Sequence, residues 1–597
     1  MFLTTLIAAS LSMTAVPDTL EAVTVVADRG MVVSMTDTLS ISGSETVSDV
    51  ILRIPALSLS DYGGETGTKS ISLRGLGSAH TAIYVDGVRV GNVQSGQADL
   101  GFLDMSSFGA AVIDYAQNSV TFKTARPTFR SGSPLSGSVS FRGGSFGTWL
   151  PGGKIYYKLS DRLIIGANLS AVLSEGDYPY GEGLKRSNNS ISRIRGGIDL
   201  LGSTVGGEWK VKGYLSSSQR DTPGSTLWPS EDRQNDRNAF VQGSLHQTFS
   251  PLYTLDLSAK AALDKIEYIS SWGDSNYDQR ELQLNTVHSF RAADWLGVSV
   301  SAGVQHDILE SNVYNASRTS VSSSAAAAVR LGSFKADLAL LYDGWFDKGG
   351  LSRNVLSPSA SLRLTVLEGL DIVAFGRRAY RVPYFNELYY VGYGNPDLKA
   401  EDAWLTDLGA EWKRAYEGGW SSELKLDGFY NILKDKITSA PTADDPNIWL
   451  PYNVGRVEAK GLDASAALRY SAGGWDAGFS AAYSLQDALD RTDGSATYGQ
   501  QINYVPKHSI SLAADASYRG WGLRLNWAQR SGRRDSYGEL PAWGTLDLTA
   551  HKSFSIRRVG TIDLSVNARN LTDTRYEAVR YYPMPGRSVL AGIEFKF

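Results

Sequence analysis

Cysteine is absent from all 597 residues. Structural disulfides, thiolate metal sites, cysteine nucleophiles and a lipid-modified N-terminal cysteine are therefore excluded. Histidine is nearly as scarce, with six scattered residues. Charge of one sign is missing too: 58 Lys and Arg against 62 Asp and Glu give a formal net charge of −4, which offers nothing for a nucleic-acid partner. Long hydrophobic runs are missing as well. Mean hydropathy is −0.19, and the one sustained apolar run near the start, Leu3 to Val16, is too short to cross a bilayer as a helix. A helical membrane protein does not fit. Residues 1–15 read instead as an atypical secretory signal. Its apolar core is present, but no Lys or Arg precedes it, and Met13 stands where a small side chain is preferred before cleavage.

What the chain does have is glycine (61), tyrosine (30) and tryptophan (14), together with period-two alternation. At the C-terminus Val589, Ala591, Ile593, Phe595 and Phe597 share one face, while Ser588, Gly592, Glu594 and Lys596 share the other, with Leu590 the exception. Such a pattern is a strand with one apolar and one polar side. It repeats at Ile510–Tyr518, at Trp521, Leu523, Leu525 and Trp527 around Arg524 and Asn526, and at Ile562–Ala568. A charged inner face is costly in a dry sandwich core but suits a wet or plugged lumen. A large β-sandwich or a solenoid is the alternative, and no repeat of fixed period supports the solenoid. From residue 146 onward, roughly 450 residues at roughly 20 per strand and loop make about 22 strands, a size at which a barrel needs a plug. The tight Arg519-Gly520 turn and the long polar stretches 217–238 and 437–456 predict short turns on one side and long loops on the other.

Residues 41–145 carry the most specific signal. Thr46–Leu57 leads into Asp61-Tyr62-Gly63-Gly64, then Ser70-Ile71-Ser72-Leu73-Arg74-Gly75-Leu76-Gly77, then Ala82–Val90 with Asp86-Gly87. In this order, and followed by a barrel, these pieces resemble the plug domain of TonB-dependent outer-membrane receptors. Arg377–Pro383 with Gly394–Glu401, and Asn570–Asp573 with Pro585-Gly586-Arg587, resemble the same family's mid-barrel and last-strand signatures. The resemblance implies an all-β membrane protein. It would be an about 22-stranded antiparallel transmembrane β-barrel (146–597) filled by an N-terminal α+β plug (41–145), and it would lie in the cell outer membrane. Residues 16–40 would be a periplasmic segment in which Glu21, Ala22, Val23, Thr24, Val25, Val26 and Ala27 resemble a TonB box. Such a β-branched extended stretch can add as a strand to a partner's sheet edge. Arg74, Gly75, Asp86 and Gly87 would be structural residues of the plug, and Arg74 a candidate partner for a barrel carboxylate such as Glu401. The region after Asp104 departs from the family pattern around Ala125-Arg126-Pro127 and Ser136–Phe141, which leaves open which plug charges pair with the wall.

Gly77-Ser78-Ala79-His80 and Gly91–Leu100 look similar to the outer-membrane cobalamin receptors of this family, as does the chain's modest length. By that resemblance Tyr62, Glu65, Thr66, Gly91, Asn92, Val93, Gln94 and Ser95 are ligand-binding positions in two apical plug loops, whose amide groups suit a corrinoid edge. The same residue types are also common in plain surface turns. The cargo expected is cobalamin, with a ferric siderophore as the alternative. Haem fits less well, because 377–401 contain no histidine and His80 alone reads as structural. Glu231, Asp232 and Asp236 form a candidate calcium loop. No permanently bound cofactor is expected.

With no large domain read before the TonB-box-like segment, the resemblance leads us to expect a plain transporter rather than a signalling receptor or a large glycan importer. A passive porin would lack residues 20–145 as read here, and a secretion or adhesion barrel would carry a passenger region. No Ser/His/Asp grouping or paired acid and base marks a barrel enzyme. The expected partners are TonB with its inner-membrane motor, outer-membrane lipids, the barrel-assembly machinery through the C-terminal strand, and a surface lipoprotein that captures ligand.

Overall fold

In the computed structural model, residues 34–42, 45–442 and 449–597 are described. Twenty-two antiparallel strands close into a barrel, and the last strand, Ser588–Lys596, pairs with both Gly560–Arg569 and the first, Leu135–Gly144. The alternation predicted from sequence sorts as expected. Trp521, Leu523 and Leu525 are exposed on the outer face, where lipid lies, while Arg524 turns inward to Glu45 of the plug. In the last strand Val589 and Ile593 face out, and the exception, Leu590, is buried on the lumen side. Among the described residues no helix is long and apolar enough to cross a membrane, so the strands do the crossing.

The plug sits inside the barrel. Its five-stranded sheet runs in the order Thr36–Ser40, Phe108–Asp114, Ser119–Thr124, Ala82–Val85, Val88–Val90. A short helix, Val47–Leu52, and the hairpin Leu57–Asp61/Lys69–Leu73 pack beside the sheet. Thr46 caps the helix and Asp49 completes a capping box, satisfying donors that a short buried helix would otherwise leave orphaned. The apolar core is built from Val50, Ile51, Leu57, Leu73, Ile113 and Phe122 and continues into Phe375, Leu405 and Leu433 of the wall.

Two boundaries differ from the sequence reading. The plug sheet already includes Thr36–Ser40, and the barrel begins at Leu135 rather than 146. Ser136–Phe141, read as plug, is wall: Val139 and Phe141 are exposed outward while Ser138 is buried. Much of the polar stretches 217–238 and 437–456 is strand rather than loop. Gly207–Gly224 and Pro229–Ser250 stay in register from Gly207↔Gln247 to Gly224↔Pro229, and Trp420–Pro441 pairs with Trp449–Ala472 as far as Pro441↔Trp449. A transmembrane strand needs only about 9–11 residues, so these strands, 22 to 24 residues long in three of the four cases, project well beyond the bilayer. There both faces are polar and the alternation disappears. The opposite end turns tightly. Arg519 (φ 47°) and Gly520 (φ 79°) both take positive φ, as a two-residue hairpin turn requires. Aromatic pairs such as Trp475–Tyr518 and Trp420–Tyr470 ring that rim, at the depth of an interfacial girdle.

Candidate functional site

Arg74 follows the strand Lys69–Leu73 and holds the plug to three adjacent wall strands. Its Nε donates to Asp463 Oδ2 at 2.8 Å, and its two terminal nitrogens donate to Asp407 and Asp427. The guanidinium is sandwiched between the rings of Tyr115 and Phe429, 4.2 and 4.5 Å from their centroids. Burial by itself would lower the pKa of Arg74, but Asp407, Asp463 and Asp427 overcome it and hold the group well above its ordinary value. The chain takes positive φ at both Arg74 and Gly75. A side chain at Gly75 would meet Gln486 and Ala488 of the wall, so this glycine lets the plug backbone approach the barrel.

The expected pairing of Arg74 with Glu401 is not what forms. Glu401 and Asp407 share a strand and a face, but six residues separate them, about 20 Å along the strand. Glu401 instead meets His80 Nε2 at 2.5 Å, and it accepts from Arg381 Nε at 2.6 Å and from the backbone nitrogen of Ile437 at 2.5 Å. His80 is thus a second plug anchor. Asp86 and Gly87 form a tight positive-φ turn, and the Asp86 carboxylate accepts from Thr124 N and Oγ1 at 2.9 and 2.6 Å.

Above this sheet a cavity of about 870 Å³ opens between the plug apices and the wall strands Gly207–Gly224, Pro229–Ser250 and Tyr253–Ile269. Tyr62, Thr66, Gly91, Asn92, Gln94 and Ser95 line it. Glu65 and Val93 do not. Val93 packs instead on the apolar cluster of Tyr277, Leu309, Tyr314 and Phe385. Thr66 is tied to Asn189 at 2.5 Å. Asn92 Oδ1 accepts from the backbone nitrogens of Gln94 and Ser95, both at 2.9 Å, so its carbonyl oxygen shapes the turn.

Most of the cavity wall was not foreseen from sequence. It brings Tyr268, Tyr277, Tyr390 and Tyr582 together with Lys212, Arg220 and Lys260. Tyr62 meets Tyr582 edge-on at 4.9 Å. Most carboxylates here are already engaged: Asp99 with Arg220 at 3.1 Å, Asp232 with Tyr268 at 2.6 Å, Asp264 with Asn238 at 2.8 Å. Asn238 Oδ1, by contrast, is buried without a hydrogen-bond partner, and Asn238 lines the cavity. Burial opposes the charge of Asp104 at the cavity floor, but Arg195 and the hydroxyls of Ser106 and Ser170 overcome it and hold the carboxyl below the usual range.

The candidate calcium loop is not a loop. Glu231, Asp232 and Asp236 lie on the strand Pro229–Ser250, with Glu231 exposed on one face and Asp232 and Asp236 on the cavity side. The latter two are four residues, about 13 Å, apart. Among the described residues no group of three His, Asp or Glu is placed to hold a metal ion. The TonB-box-like residues 21–27 lie outside the described residues.

The family model described as TonB dependent receptor-like, beta-barrel, matches residues 126–571, and that of the TonB-dependent Receptor Plug Domain matches residues 29–127. The chain belongs to the TonB-dependent receptor family. A relative in sequence is the vitamin B12 transporter BtuB of Vibrio vulnificus (strain YJ016), 22% identical over 616 residues, with 92% of this chain and 90% of the relative covered. Among solved structures, the FrpB iron transporter from Neisseria meningitidis (F5-1 variant) superposes with a TM-score of 0.75 at 13% identity, covering 94% of this chain and 100% of that one. The siderophore receptor PirA from Acinetobacter baumannii gives 0.74 at 15%, covering 94% and 98%. At these identities the structural likeness is one of fold. The TonB-dependent receptor described here is an outer-membrane transporter, and its family implies TonB as a partner.

Proposed function

We propose that this receptor imports cobalamin or a related corrinoid. The cavity at the plug apices carries the reading: its lining of amides, hydroxyls and tyrosines suits a large ligand bearing many amides at its edge. The similarity to BtuB points the same way. Ligand enters from the long-strand side and rests on Tyr62, Asn92, Gln94 and Ser95. TonB then takes residues 21–27 as an added strand and pulls, and ligand passes without covalent change. A ferric siderophore is the second reading, favoured by the three cations Lys212, Arg220 and Lys260 in the same wall, which would attract an anionic chelate. Among the described residues no histidine lines the cavity, so a haem would find no imidazole ligand there. Calorimetry on the detergent-folded receptor separates the readings. Sub-micromolar binding of cyanocobalamin, weakened by Gln94→Ala, supports the corrinoid reading, whereas binding of a ferric siderophore alone replaces it.

A further inference from the structure

A cavity of about 30 Å³ lies where the plug strand Leu57–Asp61 meets the wall strands Trp521–Arg530 and Trp543–Ile556. Arg530, Arg533 and Trp543 line it from the wall, and Ser48, Ser58 and Asp61 from the plug. Both guanidinium groups are buried, with 3 and 6% exposure, yet among the described residues neither forms an ion pair. They bond backbone oxygens instead. Arg530 donates to Ile510 O, Gln529 O and Leu52 O at 3.1, 3.0 and 3.2 Å. Arg533 donates to Ala578 O and Glu577 O at 3.2 and 2.7 Å. The nearby carboxylates are committed elsewhere. Asp535 accepts from Arg580 Nε at 2.6 Å, and Glu577 Oε2 accepts from Tyr581 N at 2.9 Å. Asp61 accepts from Gly63 N at 3.0 Å and Ser48 Oγ at 3.1 Å, and Lys69 Nζ stands 3.6 Å away to offset its charge. Arg533 Nε and Trp543 Nε1 have no hydrogen-bond partner. The Trp543 ring is held by stacking on Tyr576, centroids 4.3 Å apart.

We propose that this cavity binds one small monovalent anion, chloride, held by Arg530, Arg533 and the indole N–H of Trp543. Two buried positive charges without a counter-charge are costly, and backbone carbonyls supply dipoles rather than a negative charge. Arginine does not shed its proton, and its five N–H donors outnumber the bonds that either side chain makes here. The space takes a water-sized particle and is too small for a phosphate, an organic acid or the cargo. A water molecule would accept the same hydrogen bonds but leave both charges uncompensated. The anion would join wall to plug beside the Leu52 carbonyl, where the helix Val47–Leu52 ends, and close to the strand that leads into Tyr62. The site is independent of which cargo is carried.

The test uses the full-length, detergent-folded receptor, with bromide as the crystallographic probe. Crystals grown in potassium bromide are expected to show an anomalous peak in this cavity, within hydrogen-bonding distance of Arg530, Arg533 and Trp543 Nε1. No peak there means that water alone fills the space, and overturns the site. In solution, melting is followed in potassium chloride, bromide and gluconate at equal ionic strength. An ion that binds only the folded state stabilises it, so the melting temperature is expected to rise with chloride and bromide relative to gluconate. In Arg533→Gln that difference is expected to vanish. Trp543→Phe keeps the ring on Tyr576 but loses the N–H, and is expected to raise the half-saturating chloride concentration at least about tenfold. Identical melting in the three salts refutes the assignment. So does a chloride effect that persists in Arg533→Gln, because it belongs to the bulk salt. If Arg533→Gln fails to fold, the bromide peak and Trp543→Phe still decide.

Discussion

Arg74 shows how one side chain fixes the plug in place. Three carboxylates face one guanidinium away from water, so Arg74→Ala would strand buried negative charge and is expected to destabilise plug docking by about 3–5 kcal/mol. Arg74→Lys would restore the charge, but a compact ammonium does not span three strands, so it is expected to recover only part of the loss. Hydrogen exchange of residues 36–124, with the barrel still folded, measures both. Asp104 gives the pH dependence. Its folded pKa is depressed by Arg195 and the neighbouring hydroxyls against burial. It therefore contributes stability that is complete above the unfolded value of about 3.9 and is lost as pH falls through the lower folded value. Asp104→Asn is expected to loosen the plug at pH 7, with the deficit fading only below about pH 4. Exchange rates of residues 100–124, corrected for intrinsic rate at each pH, carry this test, and a constant deficit across the range contradicts it. The sequence marked Arg74 as an anchor but offered Glu401 as its partner. Strand parity puts Glu401 and Asp407 on one face, and nothing in one strand's pattern gives the axial height at which the plug arginine arrives.

At the scale of elements, the wall was legible wherever a strand separates lipid from lumen. There the apolar and polar faces differ, and Trp521, Leu523 and Leu525 declare themselves. Where strands rise past the bilayer both faces are wet, and 217–238 reads as a loop although Ser217 through Thr222 pair in register with Arg237 through Asp232. The same misreading produced the calcium loop. The apical loop 91–97 was legible as a plug apex, but its shape depends on a wall segment distant in sequence. Gly96 takes φ 64°, and a Cβ there would overlap the ring of Tyr384, whose hydroxyl donates to Ala79 O at 2.9 Å. Gly96→Ala is therefore expected to push the loop into the cargo cavity and to weaken cargo binding at least about tenfold, or 1.4 kcal/mol, while leaving the barrel's thermal unfolding unchanged. Calorimetry against the unaltered receptor checks the first effect and a melting curve the second.

For the whole molecule the question is how a pull from inside reaches the cargo outside. Ser34 O, the first described backbone oxygen to be held, accepts from Arg363 at 3.1 Å, and the next strand, Thr36–Ser40, is an edge of the plug sheet. A partner that adds residues 21–27 to its own sheet would draw directly on that edge. Strand addition depends on backbone N–H groups, not on side-chain identity alone. Val25→Pro removes one donor and fixes φ, whereas Val25→Thr keeps the donor and the β-branched shape. The expected outcome is that Val25→Pro binds cargo as well as the unaltered receptor yet fails to import it, while Val25→Thr does both. Binding by calorimetry and uptake of labelled cargo by whole cells separate the two steps. Import by the proline variant would place the TonB contact elsewhere in residues 16–40. Loss of binding as well would mean that the N-terminal segment shapes the apical site from below, and that force and recognition share one element rather than lying at opposite ends of the plug.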